Sequence, residues 1–469
     1  MDSMNIVVTT IQWVRLAATV LCLLCLGAIV AGCTALPLKS QQTWRSMVNH
    51  EYPSEEVTSA AFEAALDKYT ESRTHPAHDC LLLQNGEEAY PEMLRLIAEA
   101  KTSISFETYI IENDTVTDRF FAELKNAARR GVRVRVLVDA AGYHRGLIAH
   151  LNELSIQGVE ARVFNPFFFS WTIIRGNNRD HRKILVVDGC HAILGGINVS
   201  DIQCGNGITG WRDTALRISG PGALEAERVF NETWKQGGRG WFGKNLPIAF
   251  LNPVKAILDA PFVRDELAPA CVSCPAGPEG GAVMPEGGAT VRVVASSPDT
   301  RSSQTYDLYI LGVLGAREKI DVTCAYFVPP LGLRRALLKA AERGVRVRLL
   351  LPGVTDVKLV REMGMRFYGQ LLEAGVEIYE WPYPILHAKT MAVDGKWLIV
   401  GSANMDSRSY FLNYEACLVL TDDATAAEAH EQFERDILNA HEMTLEKWKA
   451  RSVAQRSLEK LLIPLAGQY

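Results

Sequence analysis

Residues 180–201 read DHRKILVVDGCHAILGGINVSD, and residues 387–409 read HAKTMAVDGKWLIVGSANMDSRS. The first passage sets His181, Lys183 and Asp188 at the spacing H-x-K-x4-D, and the second repeats it with His387, Lys389 and Asp394. At equal offsets follow Gly195-Gly196-x-Asn198 and Gly401-Ser402-x-Asn404. One such strand could be a satisfied core histidine beside a surface lysine. Two copies with the same downstream Gly and Asn point to a site that both halves of the chain build, and a repeat of this length marks architecture before it marks chemistry.

Working outward, the flanks repeat as well. AARRGVRVRVLV at 127–138 is answered by AAERGVRVRLLL at 340–351, and LSIQGVEARVF at 154–164 by LEAGVEIY at 372–379. Each is a helical period stopped by Gly and followed by a strand. Strands alternating with helices of this length predict an α/β fold: two tandem domains, each a mostly parallel or mixed sheet flanked by helices. The chain has 469 residues, 48% of them hydrophobic, which is ample for two cores. The expected division is a first domain at 76–236, a Pro- and Gly-rich linker or surface loop at 237–290, and a second domain at 291–469 that ends in helix from Ala424 to Leu462.

The N-terminus reads differently. Leu16 to Gly32 is almost wholly apolar and runs into Ala31-Gly32-Cys33, the pattern of a bacterial lipoprotein signal (1–32) with Cys33 as the acylated residue. An uncleaved membrane helix is the alternative, since a run of about 17 apolar residues can just span a bilayer. Either reading puts the body of the protein outside the cytoplasm, lipid-anchored at the cell membrane or outer membrane, with residues 33–75 as a polar tether. The remaining cysteines are odd in number and irregularly spaced, so no disulfide framework is expected, and Cys190, Cys324 and Cys417 read as small buried hydrophobes. A net charge of -5 argues against nucleic acid as a partner.

The paired residues suit phosphodiester chemistry. A neutral imidazole is a competent nucleophile toward phosphorus, while a second can protonate the leaving oxygen and later deprotonate the acceptor. Lys183 and Lys389, with Asn198, Asn404 and the Ser402 hydroxyl, can supply charge and donors to the non-bridging oxygens. This scheme asks for no metal or cofactor. Asp213 and Glu415, in corresponding downstream strands, are candidates to accept from the Nδ1 proton of each histidine. Asp188 and Asp394 sit in Val-Asp-Gly turns, where a structural role is expected.

At these residues the sequence resembles the phospholipase D superfamily, whose signature is this H-x-K-x4-D with G-G/S-x-N following. Asp188 and Asp394 enter the catalytic set as members of that signature. Trp211-Arg-Asp-Thr214, Tyr326-Phe-Val-Pro329, Asn404-Met-Asp-Ser-Arg-Ser409 and Asn413-Tyr-Glu415 are similar to the bacterial cardiolipin synthase branch, and the likeness runs from about Leu81 to the C-terminus. The resemblance implies a pseudo-two-fold axis with both histidines in one cleft, a phosphatidyl group carried on one of them, phosphatidylglycerol as substrate, and His181 as nucleophile with His387 as acid/base. Branch members of the long type carry two N-terminal membrane helices, which this chain replaces with its lipoprotein-like start.

A lipid substrate also needs an apolar approach, for which the aromatic stretch Phe164 to Trp171 and the terminal Arg456 to Leu465 are candidates. Arg182, Arg212 and Arg408 are candidates to select anionic headgroups. Three functions compete: phosphatidyl transfer, hydrolysis through the same intermediate, and non-catalytic lipid binding.

Overall fold

The computed structural model describes residues 51–142, 147–165, 177–237, 289–298 and 303–452. The signal region, Cys33, most of 237–290, Pro166 to Trp171 and Arg456 to Leu465 lie outside the described residues. Helix α1 (Ala60–Thr70) and strand β1 (Thr74–Pro76) come first. The first repeat runs β2 (Asp79–Gln84), α2 (Asn85–Glu99), β3 (Ser103–Thr108), α3 (Thr115–Arg129), β4 (Arg133–Asp139), α4 (Leu147–Ile156) and β5 (Glu160–Phe164). It continues with β6 (Arg179–Asp180), β7 (Ile184–Val187), β8 (His191–Gly195), β9 (Thr214–Ser219) and α5 (Gly222–Gln236).

The second repeat answers with β10 (Thr290–Ser296), α6 (Gln304–Gly315), β11 (Lys319–Cys324), β12 (Phe327–Val328), α7 (Leu331–Glu342), β13 (Arg346–Pro352), α8 (Lys358–Met365), α9 (Tyr368–Glu373) and β14 (Glu377–Trp381). Then come β15 (Lys389–Val393), β16 (Trp397–Gly401), β17 (Met405–Asp406), α10 (Ser407–Phe411), β18 (Asn413–Thr421) and α11 (Asp423–Leu438), with β19 (His441–Glu442) and α12 (Leu445–Lys449) last. The first sheet has the order β2-β9-β8-β7-β3-β4-β5, and the second runs β10-β18-β16-β15-β11-β13-β14 through the matching strands.

Local sequence explains the shared pattern. In α3 the residues Phe120, Phe121, Leu124 and Ala127 fall on one buried stripe, the Asp114 side chain caps the first turn by accepting from the Thr117 N–H, and Gly131 follows at φ 89°. The matching α7 buries Leu333, Ala336, Leu337 and Ala340, and Gly344 follows at φ 88°. Along the main order of each sheet β3-β4-β5 and β11-β13-β14 are parallel and their neighbours pair antiparallel, so each sheet is mixed. The Val-Asp-Gly turns set one antiparallel pair in each sheet. Asp188 and Gly189 (φ 56° and 64°), like Asp394 and Gly395 (54° and 67°), adopt positive φ at both central positions of a tight turn, closed by the Cys190 and Lys396 N–H groups donating to the Val187 and Val393 carbonyls, that sends the next strand back.

The two sheets pack face to face. Ile184, Val186, Ala192 and Leu194 of the first meet Ala392, Leu398, Val400 and Leu418 of the second in one shared core. The intervening residues Leu185, Val187 and Ile193, and Met391, Val393 and Ile399, face the outer helices instead. Burial on both faces is why these strands read as unbroken apolar runs.

Three expectations need correction. The segment assigned to the tether is partly folded: α1, capped by Ser59, buries Phe62, Ala65 and Leu66 in the second-half core, with Phe62 edge-on to Trp397 at 5.6 Å, and β1 extends the second sheet beside β10. The helix expected from Ala424 to Leu462 stops at Leu438, because the chain then adds β19 to the free edge of β14. Cys190 is disulfide-bonded rather than a free buried thiol.

Candidate active site

Strand direction assembles the site. His181 precedes β7, and His387 precedes β15, both at the sheet end where β3, β4 and β5 (and β11, β13 and β14) finish. Each of these segments crosses to the other half. Arg179 and Asp180 pair with Asn413 and Tyr414, and the His181 N–H donates to the Tyr414 carbonyl at 3.0 Å. In the mirror position Arg212 bridges to Leu386, and the His387 N–H donates to the Arg212 carbonyl at 2.7 Å. The imidazole rings are thereby held 6.4 Å apart between centroids.

The orienting carboxylates are exchanged. His181 Nδ1 lies 3.1 and 3.0 Å from the two oxygens of Glu415, and His387 Nδ1 lies 2.7 Å from Asp213 Oδ2. Each half thus supplies the carboxylate for the other half's histidine. All four groups are buried. With Nδ1–H donated to a carboxylate, Nε2 of each ring carries the free lone pair.

The two carboxylates are seated by different means. Ser402 Oγ donates to Glu415 Oε2 at 2.5 Å and accepts from the Ala416 N–H, so its hydroxyl is committed to the carboxylate rather than free for a phosphate. At the equivalent Gly196 there is no side chain, and a Cβ there would stand 2.1 Å from Asp213 Oδ1. The shorter Asp therefore lies against bare backbone, where the longer Glu lies against a hydroxyl.

Burial dominates the electrostatics. It lowers the His181 imidazolium to about 4, despite Glu415, and lowers His387 as well. Burial also brings Lys183 down to about 7, with Glu415 opposing, and lowers Lys389. For Glu415 burial acts upward, but His181, Lys183 and Ser402 outweigh it and hold the carboxyl below its usual range; His387 and Lys389 do the same for Asp213. Lys183 Nζ donates to the His181 carbonyl at 2.5 Å and Lys389 Nζ to the His387 carbonyl, each leaving N–H bonds for another partner. Asn198 accepts from the Ile110 N–H through Oδ1 at 2.9 Å, which fixes its amide and leaves Nδ2 buried without a partner. Asn404 is also buried, with Oδ1 unpaired.

Asp188 and Asp394 lie elsewhere. Each sits at the far end of the strand from its histidine, roughly 20 Å away at ~3.3 Å per residue. The Asp188 carboxylate accepts from the N–H groups of Lys101, Thr102 and Ser103, and Asp394 from those of Arg317, Glu318 and Lys319. They tie the hairpin turn to the start of the adjacent strand, and membership of the signature does not bring them into the cleft. The arginines also depart from expectation. Arg182 is fully buried and donates to the carbonyls of Glu415, Val229 and Ser296, while Arg212 pairs with Asp436 at 2.8 Å. Arg408 donates to Asn177.

Two aromatic rings complete the walls: Tyr109 stands edge-on to His181 at 5.2 Å, and Trp211 lies 5.0 Å from His387. Tyr109 gave no sequence signal, because it follows β3 with no counterpart of its type in the repeat. Behind His181 the carboxyls of Glu107 and Asp180 are both fully buried, and burial raises both. Their counterparts in the repeat are Thr323 and Leu386, so the surroundings of the two histidines differ.

A family model described as "Cardiolipin synthase, PLD-like domain" matches residues 93–234 and 313–437. The chain belongs to the cardiolipin synthase branch of the phospholipase D superfamily. It is 33% identical over 399 residues to a cardiolipin synthase of Geobacillus kaustophilus, covering 83% of this chain and 74% of the relative. It is 30% identical over 395 residues to one of Clostridium perfringens, covering 83% and 77%. Among solved structures the phosphatidylserine synthase of Haemophilus influenzae aligns with a TM-score of 0.62 at 14% identity, over 86% of this chain and 97% of that one, which supports the shared fold. The chain is a cardiolipin synthase-like phosphatidyltransferase.

Proposed function

We propose that the enzyme carries a phosphatidyl group on His181 between a phosphatidylglycerol donor and the hydroxyl of a second phosphatidylglycerol. The observation that carries this reading is the pair of buried imidazoles 6.4 Å apart, each with Nδ1 on a carboxylate and Nε2 free. In the first step Nε2 of His181 bonds to phosphorus, the phosphorus–oxygen bond to glycerol breaks, and protonated His387 gives its proton to the departing oxygen. The acceptor hydroxyl then gives its proton to His387 and attacks phosphorus, the phosphorus–nitrogen bond breaks, and cardiolipin leaves. The sum is two phosphatidylglycerols to cardiolipin and glycerol.

The shorter contact of His387 with Asp213, 2.7 Å against 3.0 Å for His181 with Glu415, favours the imidazolium on His387 and supports this division. Lys183, Lys389 and the unpaired Nδ2 of Asn198 are the donors for non-bridging oxygens. The apolar run ending at Cys33 supports a lipid-anchored body outside the cytoplasm. Incubating the solubilised protein with phosphatidylglycerol should give cardiolipin and glycerol, whereas phosphatidic acid alone would assign a hydrolase. A base-stable phosphoprotein adduct should vanish in His181→Ala; its persistence would move the nucleophile to His387.

A further inference from the structure

We infer that the cleft rim is the surface that meets the bilayer, through Ile202, Ile208, Val354, Leu359 and Leu438. This rests on the phosphatidyltransferase reading. These five are among the eight large apolar side chains that are exposed in the described residues, Leu438 at 84% and Ile202 at 53%. Isolated exposed apolar residues are ordinary on any surface. What distinguishes these is where the fold puts them.

Each is a short step from a group that touches a histidine. The Ile202 carbonyl accepts from the N–H of Trp211, whose ring packs on His387, and Ile208 lies in the same loop. Leu438 is two residues beyond Asp436, the partner of Arg212, whose carbonyl holds the His387 N–H. Val354 is two residues before Asp356, which accepts from the Tyr326 hydroxyl at 2.8 Å. Tyr326 in turn follows Cys324, paired in register with Lys389. Leu359 opens α8 just after, beside exposed Lys358. Three separate chain segments from both halves thus lie at the histidine end of the two sheets. By contrast Ile156 precedes β5, and Leu224 packs against the turn at Gly189, both at the opposite end of the sheets.

The substrate's phosphodiester must reach the histidines while its acyl chains stay in the bilayer, and apolar side chains at this end let both happen without drawing the chains through water. The occupant is therefore a phospholipid surface, with the rim side chains inserted at headgroup depth.

The test uses the full-length chain reconstituted in vesicles whose phosphatidylglycerol carries a photoactivatable group in the acyl chain. Adducts are expected in the segments 202–208 and 354–359 and not in 153–158 or 221–226; equal labelling of both ends, or none at the rim, overturns the inference. In a second arm, Ile202→Asp with Val354→Asp and Leu438→Asp should lower turnover of vesicle lipid roughly tenfold or more, the scale of losing an inserted aliphatic side chain. Turnover of a short-chain monomeric phosphatidylglycerol should stay within about twofold, as should both activities of Ile156→Asp with Leu224→Asp. Unchanged vesicle turnover in the rim variant, or an equal loss on the monomeric substrate, counts against bilayer contact. Rim adducts in a protein that turns over no phosphatidylglycerol would keep the docking face and sink the enzymatic reading, and turnover without rim adducts would do the reverse.

Discussion

Exchange of the carboxylates makes a prediction that a side-by-side arrangement would not: Glu415→Gln should disable His181, and Asp213→Asn should disable His387. Glu415 is fully buried and meets Nδ1 of His181 with both oxygens while accepting from Ser402 and from Asn413 at 3.3 Å. The amide is nearly isosteric, so packing is preserved and the charge is what is lost. A hydrogen bond to a charged group is worth about 1.5–3 kcal/mol, or roughly 10- to 150-fold in rate. An amide N–H facing Nδ1 would also favour the tautomer with Nε2 protonated, which removes the nucleophilic lone pair, and tautomer errors of this kind cost up to about 10^4. A fall of about 10^2 to 10^4 in turnover is expected. The assay is rapid-quench formation of the phosphoenzyme from two donors, phosphatidylglycerol and a phosphatidyl ester of p-nitrophenol, whose departure needs no proton. Asp213→Asn should form adduct slowly from the first and at near wild-type rate from the second. Glu415→Gln should be slow with both. Rescue of Glu415→Gln by the good leaving group, with Asp213→Asn unrescued, would refute the assignment of roles, and equal behaviour of the two variants would refute the exchange.

Gly196→Ala should misplace Asp213, since the new Cβ would fall 2.1 Å from its Oδ1, and a displacement on the ångström scale costs about 10^2-fold in turnover. Ser402→Ala should lower turnover about tenfold by freeing Glu415, with the melting temperature showing whether the fold is intact. Asp188→Ala removes the acceptor for three backbone N–H groups, so it should cost about 1–3 kcal/mol of stability and leave turnover per folded molecule unchanged. Unfolding should also be acid-sensitive: His181 titrates at about 4 folded against an ordinary 6.5, so the unfolded chain takes up the proton first. That contribution is complete above pH 6.5 and falls by about 3 kcal/mol as the pH drops toward 4, and His387 acts in the same direction, which calorimetry across that window will measure.

The H-x-K repeat was legible because its meaning lies within one stretch: the histidine, the lysine and the hairpin turn are neighbours in sequence. The strand and helix order was legible for the same reason, through Gly131 and Gly344 and the buried stripes before them. What the sequence hides is contact between distant segments. Asp213 and Glu415 could be named as strand equivalents, but which histidine each serves depends on pairing between residues 234 positions apart. Ser402 reads as a phosphate donor until Glu415 is seen on its hydroxyl. The stretch that forms α1 reads as part of a polar tether, and its contact with Trp397 is what makes it core rather than spacer. Arg182 reads as a candidate to select anionic headgroups, and its burial follows from carbonyls of β10 and β18 that no local pattern announces.

The charges of the site suggest how substrate arrival and proton loading are linked. Lys183, Lys389, Asp213 and Glu415 surround the two imidazoles, and burial lowers imidazoles and lysines alike by penalising their charged forms. A phosphodiester brings one negative charge into this cluster. In so dry a cleft that charge acts strongly on every cation within reach, raising the lysines toward full protonation and favouring one imidazolium. The ring that gains most is the one with the shortest contact to a carboxylate, His387 on Asp213, while His181, more loosely held by Glu415, keeps its lone pair. On the proposed mechanism the resting site carries no loaded acid, and binding of the anion creates it. In the proposed reaction, once the phosphatidyl group is on His181 and glycerol has taken the proton, His387 is again neutral, which is the state needed to accept a proton from the incoming hydroxyl. The asymmetry between the halves, Gly196 with Asp213 and Ser402 with Glu415, is then what lets two copies of one motif take different parts in a single reaction.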